Sequence, residues 1–238
     1  MKTHSAKKKL VITGSKGCIG TILKKGLAEI FDLYLIDIKE KKGNQSFKVD
    51  ISNQYKKLAS IFKNKDAVLH LAWNFIEDFP EEDIDYRNKL MAENVYKAAV
   101  ESGVKRIIMA SSVHADNYAL AKKEEEFSLK NPWPDSPYGA SKVYVEALGR
   151  YFAKRHKLEV ICVRFGGVNF KDRVIYKEDP NYDKVLLYKK DCIDLTKLCI
   201  LAKKVPNNFQ VFTAVSNNIN RVHSVTNFLG WRPKFPKQ

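Results

Sequence analysis

Residues 8–37 constrain the fold of this chain more than any other stretch. An apolar run at 10–12 enters a glycine turn, and apolar residues then recur at helical spacing between Ile22 and Phe31. A second apolar run, at 33–36, ends on Asp37. A strand, a glycine turn, a helix and a strand that ends in an acid form the first unit of a dinucleotide-binding α/β fold.

The glycines of the turn have the spacing Gly-x-x-Gly-x-x-Gly. Gly14 permits a tight turn, Gly17 lets a pyrophosphate approach the backbone, and Gly20 lets the helix pack closely on the sheet. The free N–H groups and the dipole at the helix start favour phosphate binding. Asp37 follows at the distance where an acid accepts hydrogen bonds from the ribose hydroxyls. Because Asp37 would repel a 2′-phosphate, the sequence predicts NAD rather than NADP. The competing interpretation is a doubly wound fold that has lost its ligand.

Strands and helices alternate through the rest of the chain. This pattern predicts right-handed crossovers and a doubly wound (Rossmann), mostly parallel sheet of the α/β class. Strands are predicted at 46–49, 67–71, 106–110, 159–164 and 209–214, and helices at 53–62, 85–102, 138–156 and 192–203. A polar, then proline-rich segment at 122–137 is predicted to be a loop that borders a substrate. Length and the lack of a linker predict one NAD-binding domain over 1–238, in which residues from about 165 to 238 contribute a small substrate-binding part.

Composition narrows the class of protein. The chain has 42 basic and 27 acidic residues, for a net charge of +15. Such a charge attracts nucleic acid, but it also attracts NAD and anionic substrates, and a solvated lysine coat without a nucleic-acid motif is the favoured interpretation. Apolar runs all fall well short of the ~20 residues that span a bilayer. The four cysteines lack metal-type spacing, so we expect reduced thiols in a cytoplasmic protein without a metal site.

Ser112, Tyr138 and Lys142 form the predicted catalytic set. Ser112 follows a strand, while Tyr138 and Lys142 are four residues apart at the start of a helix and share one face. A nearby ammonium lowers the pKa of a phenol, and the same lysine can hold the nicotinamide ribose. Tyr138 would then take a proton from a substrate hydroxyl while Ser112 positions that oxygen. The alternative is a helix N-terminus whose tyrosine packs and whose lysine is solvated.

Loops at the carboxyl ends of parallel strands line the ligand crevice, which extends the cofactor prediction to other residues. Asp50 and Ile51 are expected beside the adenine, and residues 71–74 beside the pyrophosphate and ribose. His70, inside an apolar strand, is predicted to be a core histidine. The full predicted cofactor set is Gly14, Gly17, Cys18, Ile19, Gly20, Asp37, Ile38, Asp50, Ile51, Leu71, Ala72, Trp73, Tyr138, Lys142 and Phe165.

In these motifs the chain resembles the extended short-chain dehydrogenases/reductases, specifically the NAD-dependent epimerase/dehydratase family. The shared motifs are Thr13-Gly14-x-x-Gly17-x-x-Gly20, Asp37, Asp50-Ile51, His70-Leu71-Ala72, Asn88 with Asn94-Val95, Ser111-Ser112, Tyr138-x-x-x-Lys142 and Leu229-Gly230-Trp231-x-Pro233. Within the family, Ser111-Ser112-x-His114, Tyr138-Gly139-x-Ser141-Lys142, Arg164-x-Gly166 and residues 215–218 are most similar to uronate dehydrogenases. Those enzymes oxidise the C1 hydroxyl of cyclic galacturonate or glucuronate with NAD and form a lactone.

The resemblance implies a substrate set of Asn74, Ser112, His114, Tyr138 and Arg173. Two positions depart from the uronate pattern: Val113 replaces an asparagine that touches substrate, and Gly167 replaces a serine. Lost hydrogen bonds change substrate discrimination strongly, so the reaction type transfers better than the substrate. The short chain after Arg164 favours a free or phosphorylated monosaccharide, or a sugar acid, over a nucleotide-linked sugar.

Three functional hypotheses follow. The first is an NAD-dependent dehydrogenase of a small sugar or sugar acid, the second is an epimerase of the same family with tightly bound NAD, and the third is a non-catalytic NAD- or RNA-binding protein. The intact catalytic set argues against the third. In many relatives the helices that correspond to 85–102 and 138–156 form a four-helix dimer interface, and the apolar side chains of 143–152 predict a homodimer here as well.

Overall fold

A computed structural model describes residues 6–74, 85–117, 131–175, 177 and 179–236. The strands are β1 Lys9–Thr13, β2 Asp32–Asp37, β3 Ser46–Lys48, β4 Ala67–His70, β5 Arg106–Ser112, β6 Glu159–Phe165 and β7 Phe209–Ala214. They form one parallel sheet in the order β3-β2-β1-β4-β5-β6-β7. The predicted doubly wound parallel sheet is therefore confirmed. The strand order reverses between β1 and β4, which is the position of the ligand crevice in folds of this kind.

Helices cover both faces of the sheet. They are α1 Cys18–Leu27, α2 Tyr55–Phe62, α3 Arg87–Ser102, α4 Pro137–His156, α5 Tyr182–Val185 and α6 Lys189–Leu201. Val11 packs with α2, α3 and α4 on one face, whereas Leu10 and Ile12 pack with α1 and α6 on the other. Successive strand residues point to opposite faces, so burial on both sides requires the continuous apolar runs seen in the sequence.

Helix α4 is fixed in position by its first residues. Ser136 precedes the helix, and its Oγ accepts a hydrogen bond from the Gly139 backbone N–H at 3.1 Å. Pro137 occupies the first turn, where its missing N–H costs nothing and its fixed φ favours the helix. This start places Tyr138 at the carboxyl edge of the sheet.

The structure corrects several predicted boundaries. Helix α3 begins at Arg87 rather than Asp85, strand β5 continues through Ser112, and the short helix α5 was not predicted. Residues 118–130, which cover most of the predicted loop at 122–137, lie outside the described residues. Among the described helices, none has the length and apolar character needed to cross a membrane. All four cysteines are free thiols.

Candidate active site

The glycine turn after β1 brings three backbone segments into close contact. Gly14 has a φ of +71°, and a Cβ there would lie 2.6 Å from the backbone nitrogen of Ala72. A Cβ on Gly20 would lie 2.1 Å from the carbonyl oxygen of Gly14. Helix α1 therefore starts directly against the end of β1. Gly17 precedes α1 without a side-chain cap, so the first N–H groups of the helix have no partner within it.

Asp37 ends β2 beside this turn. Its Oδ1 accepts a hydrogen bond from the Lys39 backbone N–H at 2.9 Å, and its Oδ2 accepts one from the Lys16 backbone N–H at 3.0 Å. The two amides fix the orientation of the carboxylate at the mouth of the crevice.

A cleft of about 760 Å³ follows the carboxyl edge of the sheet from the glycine turn to Lys142. Every residue of the predicted cofactor set lines this cleft, together with Asn74 and Ser112. The lining residues that the sequence analysis missed are Lys16, Lys39, Val49, Asp85, Arg87, Met91, Ala110, Ser111, Gly166 and Val168. Several of them are next to predicted residues in the sequence, and this proximity could have identified them.

The three predicted catalytic side chains meet on one wall of the cleft. Ser112 is the last residue of β5, Tyr138 lies in the first turn of α4, and Lys142 follows one turn later. Burial raises the pKa of Tyr138 to about 12, a hydrogen bond with Ser112 lowers it, and the nearby charge of Asp135 raises it further. Ser112 is thus the neighbour that favours the phenolate in this arrangement.

Lys142 is buried, with an exposure of 3%. Its Nζ donates to the carbonyl oxygen of Ala110 at 3.2 Å and lies 3.4 Å from the ring centroid of Trp73, against 5.3 Å from that of Tyr138. Burial lowers the pKa of Lys142 to about 7, and Glu146 opposes that shift. The prediction that Lys142 lowers the pKa of Tyr138 is wrong: burial raises that pKa, and the Lys142 ammonium lies over the Trp73 indole instead.

A buried charge cluster supports this wall from behind. Arg164 in β6 is fully buried, and its Nε and Nη2 each donate to Glu146 at 2.8 Å. Its Nη1 pairs with Asp116, and Ser111 donates to Glu146. The cluster ties β5 and β6 to α4 and so fixes the strand end that carries Ser112. The sequence signal for this charge cluster was an arginine inside the apolar run of β6, because a buried arginine needs acidic partners.

The predicted substrate residues divide into two groups. Asn74 lines the cleft, and its backbone exchanges two hydrogen bonds of 2.8 Å with the Asn88 side chain. The His114 ring lies 5.4 Å from the Tyr138 ring, and its Nδ1 is 3.0 Å from Asp135 Oδ1. His114 therefore adjoins the catalytic wall without lining the cleft, whereas Arg173 is exposed and lies outside the cleft lining.

The two positions that depart from the uronate pattern are filled in other ways. Val113 is buried in an apolar cluster with Val185 and Val215, so its side chain belongs to the packing beneath the site. At Gly167, a Cβ would lie 2.7 Å from the Tyr182 hydroxyl. The unpredicted helix α5 thus brings a phenol hydroxyl to the place where the uronate pattern has a serine.

Comparisons with known proteins agree with this architecture. The model of the NAD dependent epimerase/dehydratase family matches residues 10–168. L-arabinose 1-dehydrogenase (NAD(P)(+)) of Haloferax volcanii is 30% identical over 247 residues, which cover 95% of this chain and 96% of that protein. Uronate dehydrogenase of Pseudomonas syringae pv. tomato is 32% identical over 171 residues, covering 69% and 61% respectively. The crystal structure of glucuronic acid dehydrogenase from Chromohalobacter salexigens has a TM-score of 0.80 at 25% identity, covering 95% of this chain and 84% of that one.

The chain belongs to the NAD-dependent epimerase/dehydratase family of extended short-chain dehydrogenases/reductases. The family assignment confirms the resemblance found in the sequence, and it confirms NAD as the cofactor. The residues present fit this cofactor. Glycine at positions 14 and 20, where a Cβ would collide with backbone, lets the turn lie close to the N-terminus of α1, which favours phosphate. A carboxylate that can accept hydrogen bonds from a ribose is fixed at the end of β2.

Proposed function

We propose that this protein is an NAD-dependent dehydrogenase that oxidises a hydroxyl of a small sugar or sugar acid, at C1 of a uronate or an aldose. The observation that carries the proposal is the convergence of Ser112, Tyr138 and Lys142 on one wall of the same cleft that contains the glycine turn and Asp37. A nucleotide-binding protein without catalysis has no need for a serine, a tyrosine and a buried lysine at that wall.

In this proposal the chain positions a sugar hydroxyl and removes its proton. Ser112 hydrogen-bonds the reacting oxygen, and Tyr138, in its phenolate form, accepts the proton as general base. NAD supplies the acceptor for the hydride that leaves the same carbon. Lys142 binds the nicotinamide ribose, while the hydrogen bond with Ser112 favours the Tyr138 phenolate. Because burial raises the pKa of Tyr138 to about 12, turnover should increase as the pH rises above neutrality.

Cofactor binding is assigned to the glycine turn, to Asp37 and Ile38 for the ribose, and to Asp50 and Ile51 for the adenine. Residues 71–73 and Phe165, also predicted to bind the cofactor, line the same cleft. The assignment is supported by the position of the turn at the reversal of strand order, where ligands bind in such sheets.

The substrate would lie at the Tyr138 end of the cleft, between Asn74, His114 and the part of the chain after residue 165. The contact between His114 and Asp135 fixes the imidazole orientation beside Tyr138. Arg173 would contribute only if its side chain turned towards the cleft. The Tyr182 hydroxyl beside Gly167 accepts a hydrogen bond from Asn169 Nδ2 at 3.3 Å, so it fills the place of the lost serine from outside the cleft lining. These features support a monosaccharide-sized substrate within a single domain.

The test is NADH formation over a panel of L-arabinose and other aldoses, galacturonate, glucuronate and sugar phosphates. We expect stoichiometric NADH with at least one sugar. Conversion of a sugar to its epimer without net NADH would instead identify the epimerase, and no conversion together with a salt-sensitive RNA gel shift would favour the binding-protein hypothesis.

On the active sugar, Tyr138→Phe should reduce turnover by at least ~10²-fold, the usual contribution of a general base, with NAD affinity nearly unchanged. Ser112→Ala should reduce turnover less, because it positions the oxygen without taking the proton. Lys142→Met should weaken both turnover and NAD binding.

Tyr151→Phe, an exposed position on the same helix, is the matched control and should keep normal turnover. Near-normal turnover in Tyr138→Phe would remove this residue from the chemistry.

We also infer that the protein acts in the cytoplasm, consistent with four free thiols, and that it is a homodimer.

A further inference from the structure

A second acid lies behind Asp37. Glu40 follows three residues later and is only 7% exposed, although it belongs to the loop after β2. Its Oε2 accepts a hydrogen bond from the Ser15 Oγ at 2.8 Å, and its Oε1 lies 3.0 Å from the Lys16 Nζ. Both partners belong to the glycine turn, so the two loops that flank the proposed ribose position are joined through this carboxylate.

Lys16 is held at both ends. Its backbone N–H donates to Asp37 Oδ2 at 3.0 Å, and its ammonium pairs with Glu40. Lys16 lines the cleft, whereas Glu40 lies outside the cleft lining. Burial raises the pKa of Glu40, but the hydrogen bonds from Lys16 and Ser15 and the charge of Lys16 lower it. The net result is a pKa below the usual value of a glutamate. The carboxylate is therefore charged at neutral pH and neutralises the ammonium of a residue whose backbone N–H donates to Asp37.

This arrangement bears on the choice between NAD and NADP. The two cofactors differ by a phosphate on the adenosine ribose, which a carboxylate repels and an ammonium attracts. A free Lys16 ammonium beside Asp37 would offset the repulsion that Asp37 exerts. Holding it in an ion pair with a buried acid reduces that attraction.

We propose that Glu40 is a positioning residue for cofactor selection, which restrains and neutralises Lys16 and so keeps the cleft selective for NAD over NADP. The inference rests on the proposed assignment of Asp37 to the ribose. It places discrimination in two layers: Asp37 contacts the ribose directly, and Glu40 acts through Lys16. The relevant sequence pattern is Gly14-Ser15-Lys16 together with Asp37-x-x-Glu40.

The experiment is calorimetric measurement of the dissociation constants of NAD and NADP, without any sugar. Glu40→Gln keeps the shape and the Ser15 hydrogen bond but removes the charge. We expect the NADP/NAD affinity ratio to rise about tenfold in this variant, with NAD affinity changed less than about threefold. Adding Lys16→Met to Glu40→Gln should return the ratio to the wild-type value, because the gain comes from the released ammonium.

Lys39→Met in the Glu40→Gln background is the matched control, since Lys39 also lines the cleft beside Asp37. It should leave the gain intact. Glu40→Asp, which retains the charge, should stay near the wild-type ratio. An unchanged ratio in Glu40→Gln, or a gain that survives Lys16→Met, overturns the proposal.

If Glu40→Gln does not fold, Lys16→Met alone still tests the idea. It leaves the Glu40 carboxylate without its cation, three residues after Asp37, so NADP affinity should fall by at least about threefold relative to NAD. An unchanged ratio in that variant would also contradict the proposal. Because no sugar is used, an inactive enzyme in the sugar panel and a failed selection experiment remain distinct results.

Discussion

Lys142 is a buried cation whose pKa differs strongly between the folded and unfolded chain. Burial lowers its pKa from 10.5 to about 7 in the folded protein. Between these pH values the unfolded chain binds more protons than the folded one, so the contribution of this group to the free energy of unfolding rises with pH across that window. A residue required for function therefore opposes folding near neutral pH.

We predict that Lys142→Met raises the free energy of unfolding relative to wild type at about pH 7, and that this advantage shrinks as the pH approaches 10.5. Urea unfolding of both proteins across this range gives the difference directly, because other titrating groups cancel. Lys154→Met, at an exposed position of the same helix, should show no comparable pH-dependent difference. A difference that stays constant with pH would show that Lys142 keeps its ordinary titration in the folded state.

At the level of single residues, the sequence predicted the cleft residues whose positions depend on local spacing. Gly14, Asp37, Ser112, Tyr138 and Lys142 each belong to a motif in which one strand or helix fixes the position. All of them line one cleft.

The sequence did not predict partners chosen by tertiary packing. The Trp73 indole over Lys142, the ion pair of Glu40 with Lys16, and the cluster around Arg164 join segments that are far apart in the chain. Nothing in local spacing identifies such pairs. For the same reason, the sequence did not predict how strongly burial raises the pKa of Tyr138.

At the level of elements, the junction of β1 and α1 is a tightly constrained contact of the site. Alanine within a helix is ordinarily more stable than glycine by roughly 0.5–1 kcal/mol. At Gly20 the added Cβ would lie 2.1 Å from the Gly14 carbonyl oxygen, which is backbone and cannot rotate away. The collision should therefore outweigh the helix propensity.

We predict that Gly20→Ala lowers the free energy of unfolding by about 1–3 kcal/mol, the usual cost of overpacking, and weakens NAD binding by shifting the glycine turn. Chemical denaturation and calorimetry with NAD measure the two effects. Gly43→Ala is the control, because its Cβ would lie 3.7 Å from its nearest neighbour, an ordinary contact. A Gly20→Ala variant as stable as wild type would mean that α1 can move away from β1 at little cost.

Element type was predicted better than element boundaries. Long apolar runs and helical periodicity identified every strand and every helix of eight or more residues in the described chain, because both sheet faces are buried. Helix α5 has only four residues, too few to show a period, and it is held by packing of Tyr182 against Gly167. Strand β5 reaches Ser112 because it pairs with β6 as far as Phe165, which is a property of the sheet rather than of the segment.

At the level of the whole molecule, the outer surface of α3 and α4 bears on assembly. The two helices pack side by side, and the Tyr144 hydroxyl of α4 donates to Glu93 of α3 at 2.9 Å. Tyr151 of α4 is 57% exposed although it is a large aromatic residue. Leu148 is only partly buried. The apolar side chains on the outer side of α4 suit a two-fold interface, in which the same patch meets itself.

We predict a homodimer through this surface, with a mass of twice 27.3 kDa by light scattering at micromolar concentration. Tyr151→Lys should shift the protein towards monomer, because it places two like charges near the two-fold axis and removes an aromatic contact. Ile219→Lys is the control: that residue is 97% exposed and lies outside both helices, so the same change there should leave the dimer intact. NAD affinity should survive in the Tyr151→Lys monomer, since Tyr151 lies outside the lining of the cleft. A monomeric wild-type protein would contradict the predicted dimer. A dimer that tolerates Tyr151→Lys but not Ile219→Lys would place the interface elsewhere.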